Sequence, residues 1–214
     1  MSPFKQRRPA DALAGLEVLT VFALILAYIW WLRFRLPYSW LAILALVCGS
    51  HVLRRESLTR LGFKWIGPVR RFAQPFALLA LVAVALMAIG VAFRTLRDVT
   101  WQGAVSSLGL YLAWGFFQQY LLNGYFVNRF TNYLGDPARA PIHAAIFFSV
   151  AHMPNWFLML VTFIGGYVCA RIYLKYRNLY FLGLAHGVVG FLIYLVAPDS
   201  VSHHLYVGPK WFSA

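Results

Sequence analysis

Five residues carry chemistry inside otherwise apolar stretches. Gln118, Gln119 and Asn123 interrupt the run WGFFQQYLLNGYFVNRF, from Trp114 to Phe130, and His152 and His186 stand in later apolar segments. An imidazole can take up or release a proton, whereas a carboxamide only donates and accepts hydrogen bonds. Such a set can hold water and stabilise an oxyanion. It can equally be neutral glue between helices, and the residues alone leave both readings open. The missing partner is a carboxylate. The six acids are Asp11, Glu17, Glu56, Asp98, Asp136 and Asp199, and none falls among the amides and imidazoles; Glu17 is in an apolar span but distant in sequence. A metal site is poorly supplied, because zinc normally takes three or four His, Cys or carboxylate ligands and only His152 and His186 offer themselves. No cofactor is therefore expected, with a divalent metal such as zinc a weak alternative. His143 and His51 read as interfacial or packing residues and His203 and His204 as solvent-facing. Ser106, Ser107 and Ser149 lack the GxSxG setting of a nucleophile elbow.

The elements that must position these residues are membrane helices. Of 214 residues, 61% are hydrophobic and 12% charged, half the charge of an ordinary soluble domain, and the apolar residues come in long runs. The reading is an all-α, polytopic transmembrane bundle. A formal charge of +13 would suggest nucleic acid in a soluble protein. Here the Lys and Arg residues lie between apolar runs, where they set topology and meet anionic headgroups, so nucleic acid is excluded as a partner. Cys48 and Cys169, both in apolar stretches without ligand spacing, read as free thiols.

About seven spans fit: 12–32, 38–53, 73–93, 104–128, 141–152, 156–172 and 179–197. The first is expected to be retained as a helix rather than removed as a signal peptide. Residues 54–71 form a basic stretch with Leu61, Phe63, Trp65 and Ile66, suited to the headgroup region, and the tail after 197 reads as irregular and surface-bound. Three parts follow: an N-terminal region 1–100, a core 101–197 and a tail 198–214. With the N-terminus inside, 14 basic residues collect on the inner side (among them Lys5, Arg7, Arg8 and Arg129) and 5 on the outer, which places the C-terminus outside. At about 1.5 Å per residue, Gln118, His152 and His186 all lie roughly 12–16 Å deep, near the midplane of a hydrocarbon layer about 30 Å thick. Pro154 in HMPNW breaks the chain there. Gly183 and Gly187 give one helix a small-residue face, and Gly165 and Gly166 offer another.

On these residues the chain resembles the CPBP family, the CAAX-protease and bacteriocin-processing (Abi) intramembrane endopeptidases. The family pattern is EExxxR, then FxxxH, then a histidine motif such as HxxxN. The first reads Gln118-Gln119-Tyr120-Leu121-Leu122-Asn123; the second is intact from Phe148 to His152; the third runs from His186 to Gly190 and loses its asparagine. The resemblance covers about 104–196. It implies a water-activating site in which Gln118 and Gln119 take the glutamate positions, Asn123 the arginine, His152 and His186 the histidines and Gly190 the asparagine. Loss of both carboxylates together with the arginine implies coherent re-tuning, since either sign left alone in a membrane is costly. The expectation is a pseudoprotease that binds a membrane peptide, protein segment or lipid in a bacterial or archaeal cytoplasmic membrane. The alternative is an active endopeptidase for prenylated, leader or other membrane-proximal peptides. An acid such as Glu17 reaching His152 would favour the enzyme.

Overall fold

The computed structural model describes residues 11–65 and 69–213; Lys5, Arg7, Arg8 and Ile66 lie outside them. All regular structure among the described residues is helical. The first helix, α1 (Ala12–Arg35), starts where the Asp11 carboxylate accepts a hydrogen bond from the Ala14 N–H at 3.2 Å, satisfying one of the free donors of the first turn. Pro37 ends it, because the residue before a proline is driven out of the helical region, and opens α2 (Pro37–Leu53). A single turn, α3 (Leu58–Leu61), closes on Gly62 at φ 99°, and α4 (Arg70–Ala92) follows. The helix α5 (101–134) is α-helical to Gln119, π-helical from Tyr120 to Val127 and α-helical again to Leu134. Then come α6 (Ala140–Val150), α7 (Trp156–Tyr176) and α8 (Leu179–Val196).

Four of these, α1, α4, α7 and α8, are long and apolar enough to cross a membrane, and α2 and α6 are shorter apolar helices. Their outer faces carry leucines and valines that water would not tolerate in such number: Leu13, Leu16, Leu19, Leu81 and Val84 are all more than 60% exposed. The structure is thus that of an integral membrane protein. From Leu122 to Phe130 every residue of α5 is buried, so this part of the helix faces neighbours all round, whereas its first half carries the exposed apolar residues Trp101, Val105, Leu110 and Trp114.

Backbone contact between α5 and α8 depends on glycine. A Cβ on Gly187 would stand 2.6 Å from Leu112 Cα, and one on Gly115 would stand 2.8 Å from the Gly187 nitrogen; Gly183 admits Phe116 in the same way. Gly166 leaves room for Phe148, but Gly165 faces open space and takes no part in close packing.

Charged and polar loops gather at two ends. At one, Arg54 meets Asp11, Arg177 donates to the Arg60 carbonyl at 3.1 Å, and the Leu179 N–H donates to the Gly62 carbonyl at 2.9 Å. At the other, Arg97 holds Asp199 in an ion pair and Arg33 donates to the Val207 carbonyl at 3.0 Å. The chain between α6 and α7 is broken at residues 151–155, around a cis Met153–Pro154 bond. Its freed backbone groups are satisfied from within the protein, as a membrane requires. The tail supplies them: Gly208 N–H donates to the Met153 carbonyl at 2.8 Å, and the Asn155 amide donates to the carbonyls of Ser202 and Tyr206. Rather than lying irregularly on the surface, the tail forms short helical turns from Asp199 that reach this break.

The glycine contacts make a graded prediction. Gly187→Ala, whose new methyl meets main chain, should cost about 1–3 kcal/mol, and Gly165→Ala should be near neutral. Thermal unfolding of the two variants in one detergent compares them directly.

Candidate functional site

The last α-helical residue of α5 before the π-helical stretch is Gln119, and Asn123 follows within it. Both side chains are fully buried. Wide π turns are a recurrent device for bringing extra side chains to one point. The Asn123 amide donates to Gln119 Oε1 at 2.6 Å, and Gln119 Nε2 meets His186 Nδ1 at 2.8 Å. A carboxamide nitrogen has no lone pair to offer, so Nδ1 accepts and the His186 proton resides on Nε2. Gln118 stays outside this line of bonds and is half-buried.

His152 is placed by the last turn of α6. Its Nδ1 lies 2.6 Å from the Phe148 carbonyl, which can only accept, so Nδ1 carries the proton and Nε2 is bare. The Phe148 ring packs edge-on against both imidazoles, with centroids 4.9 Å from His152 and 5.9 Å from His186. Gly115 makes space for His186, whose Cδ2 is 3.1 Å from where a Cβ would be. Neither Nε2 atom has a hydrogen-bond partner among the described residues. Four of the five candidates therefore form one cluster: Asn123, Gln119 and His186 in a hydrogen-bonded row, and His152 joined to it through Phe148. At Gly190 a Cβ would be 3.1 Å from Tyr111 Cδ1, so the tyrosine ring occupies the direction an asparagine there would take.

The donor set does not fit a metal. The only carbonyl oxygen of Gln119 is occupied by Asn123, His186 Nδ1 is occupied by Gln119, and no three His, Cys, Asp or Glu side chains converge among the described residues. Cys48 and Cys169 are free thiols.

Glu17 does not approach His152. It belongs to a second cluster that sequence reasoning left dispersed among spans and loops. Arg129, on the last part of α5, has no exposed surface. Its Nε donates to Glu17 Oε2 at 2.8 Å and one terminal nitrogen to Glu56 Oε1 at 3.0 Å, while the other donates to Ser50 Oγ at 2.8 Å. His51 Nδ1 holds Glu56 Oε2 at 2.7 Å, and Arg54 ties Glu17 to Asp11. Glu56 lies in the loop after α2. Burial raises its carboxyl, but the bonds from His51 and Arg129 outweigh burial and hold it down at about 2, from an ordinary 4.5. The sequence signal for this cluster was Glu17, an acid inside an apolar run, which had to find a cation. The other acids are elsewhere: Asp136 accepts from the Ala138 N–H, Asp199 pairs with Arg97, and Asp98 is exposed.

Removing Arg129 takes the guanidinium from the buried Glu56, which keeps only His51, and one of two guanidiniums from Glu17. Arg129→Leu should cost about 3–5 kcal/mol in thermal unfolding. A group held below its ordinary pKa stabilises the fold fully above that value and loses the contribution as pH falls toward the folded one. Stability should therefore decline from about pH 4.5 toward 2, and Glu56→Gln should flatten that descent in an acid titration of unfolding.

Residues 100–192 match the family model described as "Type II CAAX prenyl endopeptidase Rce1-like". No curated protein and no solved structure matches. The matched stretch holds the whole amide–imidazole cluster, in motif order. That match supports assigning this stretch to the CPBP, or CAAX-protease, family, and it includes Gln118 and Gln119, which the resemblance sets at the positions of the family's glutamate pair.

Proposed function

We propose that this protein is a non-hydrolytic CPBP member, a pseudoprotease that binds a membrane peptide, protein segment or lipid in a polar cleft near the bilayer midplane. Gln118, Gln119, Asn123, His152 and His186 line that cleft. The observation that carries the reading is the direction of one hydrogen bond. Gln119 Nε2 donates to His186 Nδ1 at 2.8 Å, which leaves His186 with an N–H at its free position. A glutamate at 119 would accept from Nδ1 and leave the free nitrogen bare, ready to take a proton from water. Exchange of carboxylate for amide thus turns a base into a donor. With His152 Nε2 as acceptor and His186 Nε2–H as donor, the cleft matches the C=O and N–H of an unpaired peptide unit, or the hydroxyl and carbonyl groups of a lipid.

One observation favours the alternative, an active endopeptidase with altered chemistry. His152 donates its Nδ1 proton to the Phe148 carbonyl, so its bare Nε2 can serve as general base while His186 Nε2–H stabilises the oxyanion. The binder is preferred because no carboxylate among the described residues supports either imidazole, and the imidazolium formed in turnover would have no counter-charge.

Around this site we place about seven spans, with a generic N-terminal region 1–100, the CPBP core at 101–197 and the tail 198–214. The N-terminus is cytoplasmic and the C-terminus outside, in a bacterial or archaeal cytoplasmic membrane. Basic loops meet anionic headgroups, and nucleic acid is not a partner. The distribution of 14 against 5 basic residues supports that orientation.

The test is a cleavage assay of the purified protein on prenylated, leader-type and other membrane peptides, run beside His152→Ala, Gln118→Glu and Gln119→Glu. The expected result is no turnover by the native protein, with peptide or lipid binding that weakens about tenfold in His152→Ala. Turnover abolished by His152→Ala would overturn the binder reading. Nitrogen NMR should find the His186 proton on Nε2 in the native protein and on Nδ1 in Gln119→Glu.

A further inference from the structure

A groove of about 280 Å³ opens between α1 and α2, at the end of the bundle that holds Arg129. Its walls are Leu13, Leu16 and Leu46, which are 68%, 62% and 50% exposed and so face the surrounding lipid. Glu17, Ser50 and Tyr125 form its floor. Tyr125 has no exposed surface, yet its hydroxyl has no hydrogen-bond partner among the described residues. A buried hydroxyl without a partner, on a residue that lines a groove, asks for one from the groove's occupant.

The charges at the mouth are unequal. Arg129 and Glu56 are sealed beneath, with side chains 0% and 4% exposed, and offset one another. The members that remain accessible are Asp11, Glu17 and Arg54, with side chains 33%, 29% and 21% exposed. Among the described residues of this cluster, three carboxylates (Asp11, Glu17 and Glu56) against two guanidiniums (Arg54 and Arg129) leave an excess of one negative charge. The polar groups are also ordered in depth. Arg129, which holds Glu17, and Tyr125 are one turn apart on α5, roughly 5 Å along the helix axis.

We propose that the groove binds one phospholipid bearing a primary ammonium, of the phosphatidylethanolamine type. The ammonium lies against Glu17 and Asp11, an ester carbonyl one turn deeper accepts from the Tyr125 hydroxyl, and an acyl chain runs along Leu13, Leu16 and Leu46. A primary ammonium has three donors for carboxylates, whereas the quaternary ammonium of phosphatidylcholine has none. An anionic glycerol headgroup would meet like charge at the mouth. The inference does not depend on what the Gln119–His186 cluster does.

Native mass spectrometry of the purified protein in detergent tests this, with equimolar phosphatidylethanolamine, phosphatidylcholine and phosphatidylglycerol of matched acyl chains. One phosphatidylethanolamine should be retained with about a tenfold preference over the other two. Tyr125→Phe should lower that retention about fivefold without lowering the melting temperature of the lipid-free protein, since the lost hydroxyl had no protein partner. Leu16→Trp, at an exposed wall position that the indole would fill, should abolish retention. Equal retention of the three lipids, preference for phosphatidylglycerol, or full retention by Leu16→Trp would each overturn the proposal.

Discussion

A guanidinium with no surface exposed to water must be met on every side by groups that accept its protons and balance its charge, or the helix bearing it cannot enter the bundle. Arg129 meets that demand by drawing partners from three places far apart in the chain. Glu17 comes from α1, Ser50 from α2, and Glu56 from the loop that follows. Helices α1 and α2 are drawn to the flank of α5, their lipid-facing leucines point outward, and the Asp11 cap and Arg54 complete the cluster at the membrane edge.

The opposite treatment of polarity governs the middle of α5. There the side chains are amides and an imidazole, hydrogen-bonded in a row from Asn123 through Gln119 to His186, with Asn123 Oδ1 left without a partner among the described residues. Neutral amides carry none of the desolvation penalty of a carboxylate pair, and they need no arginine beside them. Gln119 and Asn123 therefore sit together without a counter-charge. An amide at 119 also sets which atoms of His186 can give and which can take a proton, so the choice that lowers the solvation cost at the same time fixes the chemistry.

Much of the core was legible in the sequence because membrane physics writes it there. Apolar runs located the helices, Pro154 marked the break, and Gly183 and Gly187 marked the face that receives α5. The grouping of Gln119, Asn123, His152 and His186 was readable from their cost in an apolar setting and from the order of the family motifs. Other features left no local trace. Arg129 looked like a loop cation because its partners lie more than 70 positions away in sequence. Gly165 and Gly166 are indistinguishable as letters, yet only one meets a neighbour. The tail's role in sealing the break depends on main-chain carbonyls, which every sequence possesses and none advertises.

The π-helical stretch from Tyr120 to Val127 joins two anchorages of unequal strength. Below it, Arg129 is fixed by charge-assisted bonds to two carboxylates; above it, Gln119 is held to α8 by one neutral amide–imidazole contact. Just beyond Gln119 the hold is steric: Leu112, Gly115 and Phe116 lie against the backbone of α8 at Gly183 and Gly187, closer than any added methyl would allow. In mechanical terms α5 is a shaft held at both ends, by charge at the membrane edge and by shape beyond the site, with its loosest winding between the two.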